Sequence, residues 1–112
     1  MINVIEINGQ EAIVSFDPET SMFRGEFIGL NGGADFYADD VAGLRSQGQA
    51  SLDTFMEVCR ERGIDPIRRF SGKFQVRLDE NLHARAVTAA AARGKSLNQF
   101  VMEAIEREAA NG

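Results

Sequence analysis

Lys73-Phe74-Gln75-Val76-Arg77-Leu78 alternates strictly, with Phe74, Val76 and Leu78 on one parity and Lys73, Gln75 and Arg77 on the other. Successive side chains of a strand point to opposite faces, so the pattern predicts a strand with one buried face and one polar face. Helical signals follow it. Asp79 offers a carboxylate to the unpaired amides of a first turn, an Ala-rich stretch through Leu82, Ala86, Val87, Ala89 and Ala90 reaches Arg93, and Gly94 supplies a left-handed stop. Ser96-Leu97-Asn98-Gln99 then has capping-box spacing, and Leu97, Phe100, Val101, Ala104 and Ile105 form the apolar stripe of a second helix. The order is strand, helix, helix.

A piece of about forty residues is too small to bury this much apolar surface alone. A twofold dimer resolves the difficulty, with the two strands paired antiparallel and Phe74, Val76, Leu78, Leu97, Phe100, Val101 and Ile105 forming a shared core. The polar parity, Lys73, Gln75 and Arg77, then points outward on a two-stranded ribbon. Such a ribbon fits the DNA major groove, where Arg forks to guanine, Gln to adenine, and Lys to guanine or phosphate. Amides at the start of the second helix, around Ser96, Leu97 and Asn98, are placed to hold backbone phosphate. The competing reading of Lys73, Gln75 and Arg77 is a plain solvated strand face.

Working back toward the start, Ala12-Ile13-Val14-Ser15-Phe16 reads as a strand and Asp17-Pro18-Glu19-Thr20 as the turn that ends it. Met22 to Leu30 continues as a second strand, Asn31-Gly32-Gly33 permits positive φ, and Ala34 to Ala38 is a third. The expectation is a three-stranded antiparallel meander, with room for a small strand at Ile2 to Ile7 ahead of it. Asp39 or Asp40 caps a helix running to about Arg62, along which Leu44, Leu52, Phe55, Met56 and Cys59 recur at helical spacing. Gly43 and Gly48 weaken its first half, so a kink or loop is allowed near Ser46 to Gln49, and Gly63 offers the stop. Asp65-Pro66 closes this part. The fold class is α+β, divided as 1–66, a linker 67–72, and 73–112.

The 112 residues, 44% apolar and 26% charged, suit a folded domain and exclude a large multidomain enzyme. Cys59 is the single cysteine and His83 the single histidine, so neither an intrachain disulfide nor a Cys/His zinc cluster can form. No apolar run approaches a membrane span and no leader is recognisable, which points to the cytoplasm and to no membrane partner. The net charge of -5 is unevenly spread. Met1 to Phe70 holds 12 acidic against 6 basic residues, whereas Ser71 to Met102 holds 5 basic against 2 acidic. The second stretch can therefore meet a polyanion.

Ser71-Gly72-Lys73-Phe74-Gln75-Val76-Arg77-Leu78, Leu82-His83 and Gly94-Lys95-Ser96-Leu97-Asn98-Gln99-Phe100 together resemble the ribbon-helix-helix (Arc-type) domain at the C-terminus of many HicB family antitoxins. Met22-Phe23-Arg24-Gly25, the strand at Phe36, the long helix and Cys59 to Pro66 resemble the N-terminal HicB domain, a degenerate partial RNase H-like fold. The resemblance covers nearly the whole chain and implies two tasks. HicB antitoxins neutralise a HicA-type toxin, a small mRNA-cleaving ribonuclease, and repress their own operon. It thus implies a toxin-neutralising domain over 1–66, partnered by a HicA-type toxin, and a ribbon-helix-helix domain over 73–112 partnered by operator DNA and by a second copy of the chain, as a dimer or a tetramer. Gly43 to Gln49 is richer in Gly and Ser than a typical family helix.

Other classes are weighed against this one. His83 reads as an exposed helix residue and Cys59 as a filler of a helix face, since neither has a partner to make a nucleophile or a metal ligand set. Asp17, Asp35, Asp39 and Asp40 raise a metal-dependent nuclease, because RNase H-like nucleases use clustered acids, yet Asp17 and Asp35 sit at turn-like positions and Asp39-Asp40 at a helix start. Gly9, Gly32 and Gly33 form no phosphate-loop signature. The chain is accordingly expected to have no catalytic residues, no metal and no cofactor, and not to be an enzyme. The alternative to an antitoxin is a stand-alone repressor whose first part binds a small molecule or oligomerises.

Overall fold

Asn8 (φ 50°) and Gly9 (φ 83°) turn the chain through a two-residue loop and pair β1 (Val4–Ile7) with β2 (Gln10–Asp17). A two-residue hairpin loop with both φ values positive matches the right-handed twist of its strands, and Asn-Gly is the pair that adopts it most easily. The structure is a computed structural model that describes residues 3–111, and it divides into two units, one ending at Ser71 and one beginning at Gly72. In the first unit β3 (Met22–Phe27) and β4 (Asp35–Ala38) complete a four-stranded antiparallel sheet of order β1-β2-β3-β4. The sheet has four strands where a three-stranded meander was expected; β1 lies within Ile2 to Ile7, where a further small strand was allowed, and the Asn8-Gly9 turn joins it to β2. Between β2 and β3 Asp17 acts as a turn residue, its Oδ1 accepting from the Glu19 amide at 3.0 Å. β3 stops at Phe27 rather than Leu30, because Leu30 turns away to bridge Ile67.

α1 (Val41–Arg62) lies on one face of the sheet. Asp40 Oδ1 accepts from the Gly43 amide at 2.6 Å, satisfying one of the amides that a first turn leaves over. Asp40→Ala should cost about 1 kcal/mol of stability. Thermal melts of the two chains check this, and an unchanged midpoint would mean that the cap contributes nothing. The far end closes at Gly63 (φ 66°), with the Ile64 amide donating to the Cys59 carbonyl at 2.9 Å.

No kink or loop interrupts α1 near Ser46 to Gln49, contrary to the weakness expected of its glycines. Gly48 is buried where the helix meets the sheet, and a Cβ there would lie 2.2 Å from Ile7 Cδ1 and 3.0 Å from the Phe36 ring. The same ring is also held close by Gly25 of β3, where a Cβ would lie 2.2 Å from Phe36 Cζ. Two glycines thus form the slot for one aromatic ring, around which Leu44, Leu52, Phe27 and Leu30 complete the core. Helix propensity is lost at Gly48, but the backbone of α1 comes closer to the sheet.

α1 also reaches both edges of the sheet. Arg45 Nη1 donates to the Glu6 carbonyl of β1 at 3.2 Å, and Ser51 Oγ donates to the Asp35 carbonyl of β4 at 3.3 Å. Residues 67–72, expected as a linker, begin with packed residues. Ile67 packs against the core, the Asn31 amide donates to the Pro66 carbonyl at 2.8 Å, and the Arg68 amide donates to the Gly29 carbonyl at 2.9 Å. Asp65 fastens this segment by accepting from the Ile67 amide at 3.0 Å and from Arg69 Nε at 3.1 Å. These two donors, the Ile67 amide foremost, hold its carboxyl below the usual carboxylate range.

The second unit contains α2 (Glu80–Ala92) and α3 (Leu97–Asn111). Asp79 caps α2, its Oδ1 accepting from the Leu82 amide at 2.8 Å. Gly94 (φ 67°) follows Arg93, and the Lys95 amide donates to the Ala90 carbonyl at 2.9 Å, so the connection is tight and Ala90 is buried under it. Among the described residues the protein is α+β, with a four-stranded antiparallel sheet and three helices.

Candidate nucleic-acid interface

Lys73 to Leu78, expected as a strand, is assigned to no strand and pairs with none of the sheet strands among the described residues. The reason is elementary, because a strand is defined by the ladder it makes and this chain holds no second copy of the segment. Its apolar parity is open to solvent, with Phe74 73% exposed, Val76 59% and Leu78 40%. Phe74 and Val76 line an open groove of about 600 Å³ together with Leu97, Val101 and Ile105. Those last three recur at every fourth position of α3 and so share one side of the helix. The structure thereby gathers five of the seven expected core residues along one groove. Leu78 is not among its lining residues, and Phe100 is half-buried with the Arg93 guanidinium 5.4 Å from its ring centroid.

The polar parity is exposed as well, since Lys73, Gln75 and Arg77 all lie in open backbone. At the start of α3, Ser96 Oγ accepts from the Gln99 amide at 3.0 Å, the cap that the sequence spacing requires. The amides of Leu97 and Asn98 belong to the same first turn, where intrahelical acceptors are lacking. They keep both the direction and the partial positive charge that a phosphate oxygen would meet.

Arg93 and Lys95, both counted toward the basic stretch, are engaged within the unit. Arg93 stacks on Phe100, and Lys95 Nζ pairs with Glu103 Oε2 at 2.6 Å. Sequence position alone does not reveal this, although Lys95 and Glu103 frame the apolar stripe of α3. Arg77 and Arg85 are exposed on the segment and on α2.

The carboxylates that raised a nuclease are spread over different tasks. Asp17 serves its turn, Asp40 caps α1, and Asp35, placed by the sequence reading at a turn, stands in β4 and pairs with Arg24. That pairing, chiefly the Asp35 hydrogen bond, raises the already high pKa of Arg24. Among the described residues no group of three or more His, Cys, Asp or Glu side chains is arranged to hold a metal ion. Cys59 is buried and His83 is exposed on α2. No helix among the described residues is long and apolar enough to cross a membrane.

The family model described as HicB family matches residues 55–105, from the second half of α1 through most of α3. Over those residues, a little under half of its length, the chain is similar to the HicB family. No curated protein and no solved structure matches the chain.

Proposed function

We propose, from that HicB family match, that the chain is an antitoxin that neutralises a HicA-type mRNA-cleaving ribonuclease and represses its own operon by binding DNA. The observation that carries the reading is the coincidence of the match over residues 55–105 with the alternating segment 73–78 and the two capped helices after it. In this reading two copies pair their segments antiparallel, giving a ribbon-helix-helix dimer. The groove along Phe74, Val76, Leu97, Val101 and Ile105 is then covered by the partner copy. Lys73, Gln75 and Arg77 read base edges in the major groove, while the Ser96, Leu97 and Asn98 turn holds phosphate. The first unit, a partial RNase H-like fold, masks the toxin, and the chain itself catalyses nothing and needs no cofactor.

The test begins with co-purification of the chain with the product of the adjacent reading frame, then binding of the complex to upstream DNA at two salt concentrations. A stable complex with sequence-specific, salt-sensitive DNA binding is expected. Arg77→Ala should weaken specific binding by about 1 to 3 kcal/mol, roughly ten- to a hundredfold, with the dimer intact. Unchanged operator affinity in that variant would remove Arg77 from the reading face.

One observation favours a second reading, that of a stand-alone repressor. The family match leaves residues 1–54 outside it, and these contain the whole four-stranded sheet. DNA binding by the chain with no complex to the neighbouring product would select this reading.

A further inference from the structure

The sheet of the first unit has two faces, of which α1 covers one. The covered face holds Ala12, Phe27, Phe36 and Ala38, all buried. Side chains alternate along each strand, so the residues between these belong to the opposite face, and none of them is buried. The strand register fixes who stands beside whom. Glu6 is directly opposite Glu11 across β1 and β2, and Glu26 is directly opposite Asp35 across β3 and β4. Val4 and Ile13 form the apolar pair next to the first of these, and in the same row Ile13 faces Glu26.

Like charges directly opposite on neighbouring strands destabilise a sheet. The second pair is relieved by Arg24, which bonds Glu26 at 3.1 Å and also pairs with Asp35. The first pair has no such relief, because neither the Glu6 nor the Glu11 carboxylate has an ion pair or a hydrogen bond among the described residues. Its neighbourhood is also apolar. Ile28, beside Glu11, is 46% exposed; farther along the same face, on β4, Tyr37 is 42% exposed. A sheet selected for folding alone would exchange one glutamate for a cation; a local conflict of this kind is expected where a surface serves a partner.

We infer that this uncovered sheet face is the docking surface for a protein partner with a basic, phosphate-binding face. The inference rests on the antitoxin reading and deepens it by naming the surface. Charge selects the occupant. A second copy of the first unit would bring carboxylates against carboxylates, and a nucleic acid would bring phosphate against them, whereas cations that otherwise grip an RNA backbone find acceptors here. Ile28, Tyr37 and the Val4–Ile13 pair supply the apolar contact that a charged rim alone lacks. The face thus competes with RNA for the partner's cations, which is a direct way to silence a ribonuclease.

The double variant Glu6→Gln/Glu11→Gln tests it, with the purified product of the adjacent reading frame as the probe. Its affinity for the probe should fall at least about tenfold, and the salt dependence of what remains should be shallower. Binding to upstream DNA should be unchanged, and the melting temperature should rise by about 2 °C as the repulsion is removed. A double variant that binds the probe as tightly as the parent chain overturns the assignment of this face and leaves the antitoxin reading standing. A parent chain that does not bind the probe at all overturns both.

Discussion

Phe74→Ala should convert a dimeric chain into a monomer at micromolar concentration while leaving the first unit folded. Phe74 is 73% exposed in the single chain and lines the groove flanked by Val76, Leu97, Val101 and Ile105. In the proposed dimer each copy buries one such ring, and truncating a buried Phe to Ala costs about 3 to 5 kcal/mol. Two symmetric losses amount to about 6 kcal/mol or more, a weakening of the dimer by about ten-thousandfold. The core of the first unit, built around Leu44, Leu52 and Phe36, contains no residue of this groove and should keep its melting transition. Sedimentation equilibrium gives the association constant, and circular dichroism follows the first unit. A variant that stays dimeric with the parent's constant would exclude the 73–78 segment from the interface.

Gly25→Ala should be the most damaging single-methyl change in the first unit. The added carbon would stand 2.2 Å from Phe36 Cζ, with two further ring carbons within 2.8 Å. The ring has little room to retreat, because the same ring atoms are already close to Gly48 of α1, where a Cβ would be 3.0 Å from them. Relief therefore requires the sheet to part from the helix or Phe36 to leave the core. Overpacking of this kind costs about 3 kcal/mol, which for a unit of this size lowers the melting temperature by roughly 15 °C. The converse pair, Gly25→Ala with Phe36→Leu, should recover part of the loss. A Gly25→Ala chain that melts with the parent would mean that the ring has somewhere else to go.

Much of this architecture is legible from residues alone, and the exceptions share a cause. The caps at Asp40, Asp79 and Ser96 and the stops at Gly63 and Gly94 are local, because a side chain or a backbone angle acts within a few residues, and each stands where its spacing places it. The first strand is under-read because Asn8-Gly9 is treated there as one glycine among several instead of as a hairpin turn. With that turn recognised, pairing of Ile7 with Gln10 follows and sets Glu6 opposite Glu11, so the acidic face was accessible too. Gly48 misleads for a different reason. Propensity prices a glycine by what it does to its own helix, whereas here its value lies in what it permits a ring on the sheet to do. The Leu30–Ile67 bridge joins residues too far apart in sequence for any local signal, which is why residues 67–72 read as a linker.

The two bonds that α1 sends to the sheet edges bear on behaviour at high concentration. A bare outer strand is a template on which another chain can lengthen the sheet, and repeated addition leads to insoluble aggregates. Arg45 on the β1 carbonyl and Ser51 on the β4 carbonyl each occupy an acceptor that an incoming strand would need, and Glu6 places an unrelieved negative charge at the β1 border. An approaching copy thus meets a blocked acceptor at either border and an electrostatic barrier at β1. The helix that builds the core therefore also acts as a gatekeeper against sheet-to-sheet polymerisation, giving the first unit colloidal protection at its two strand borders.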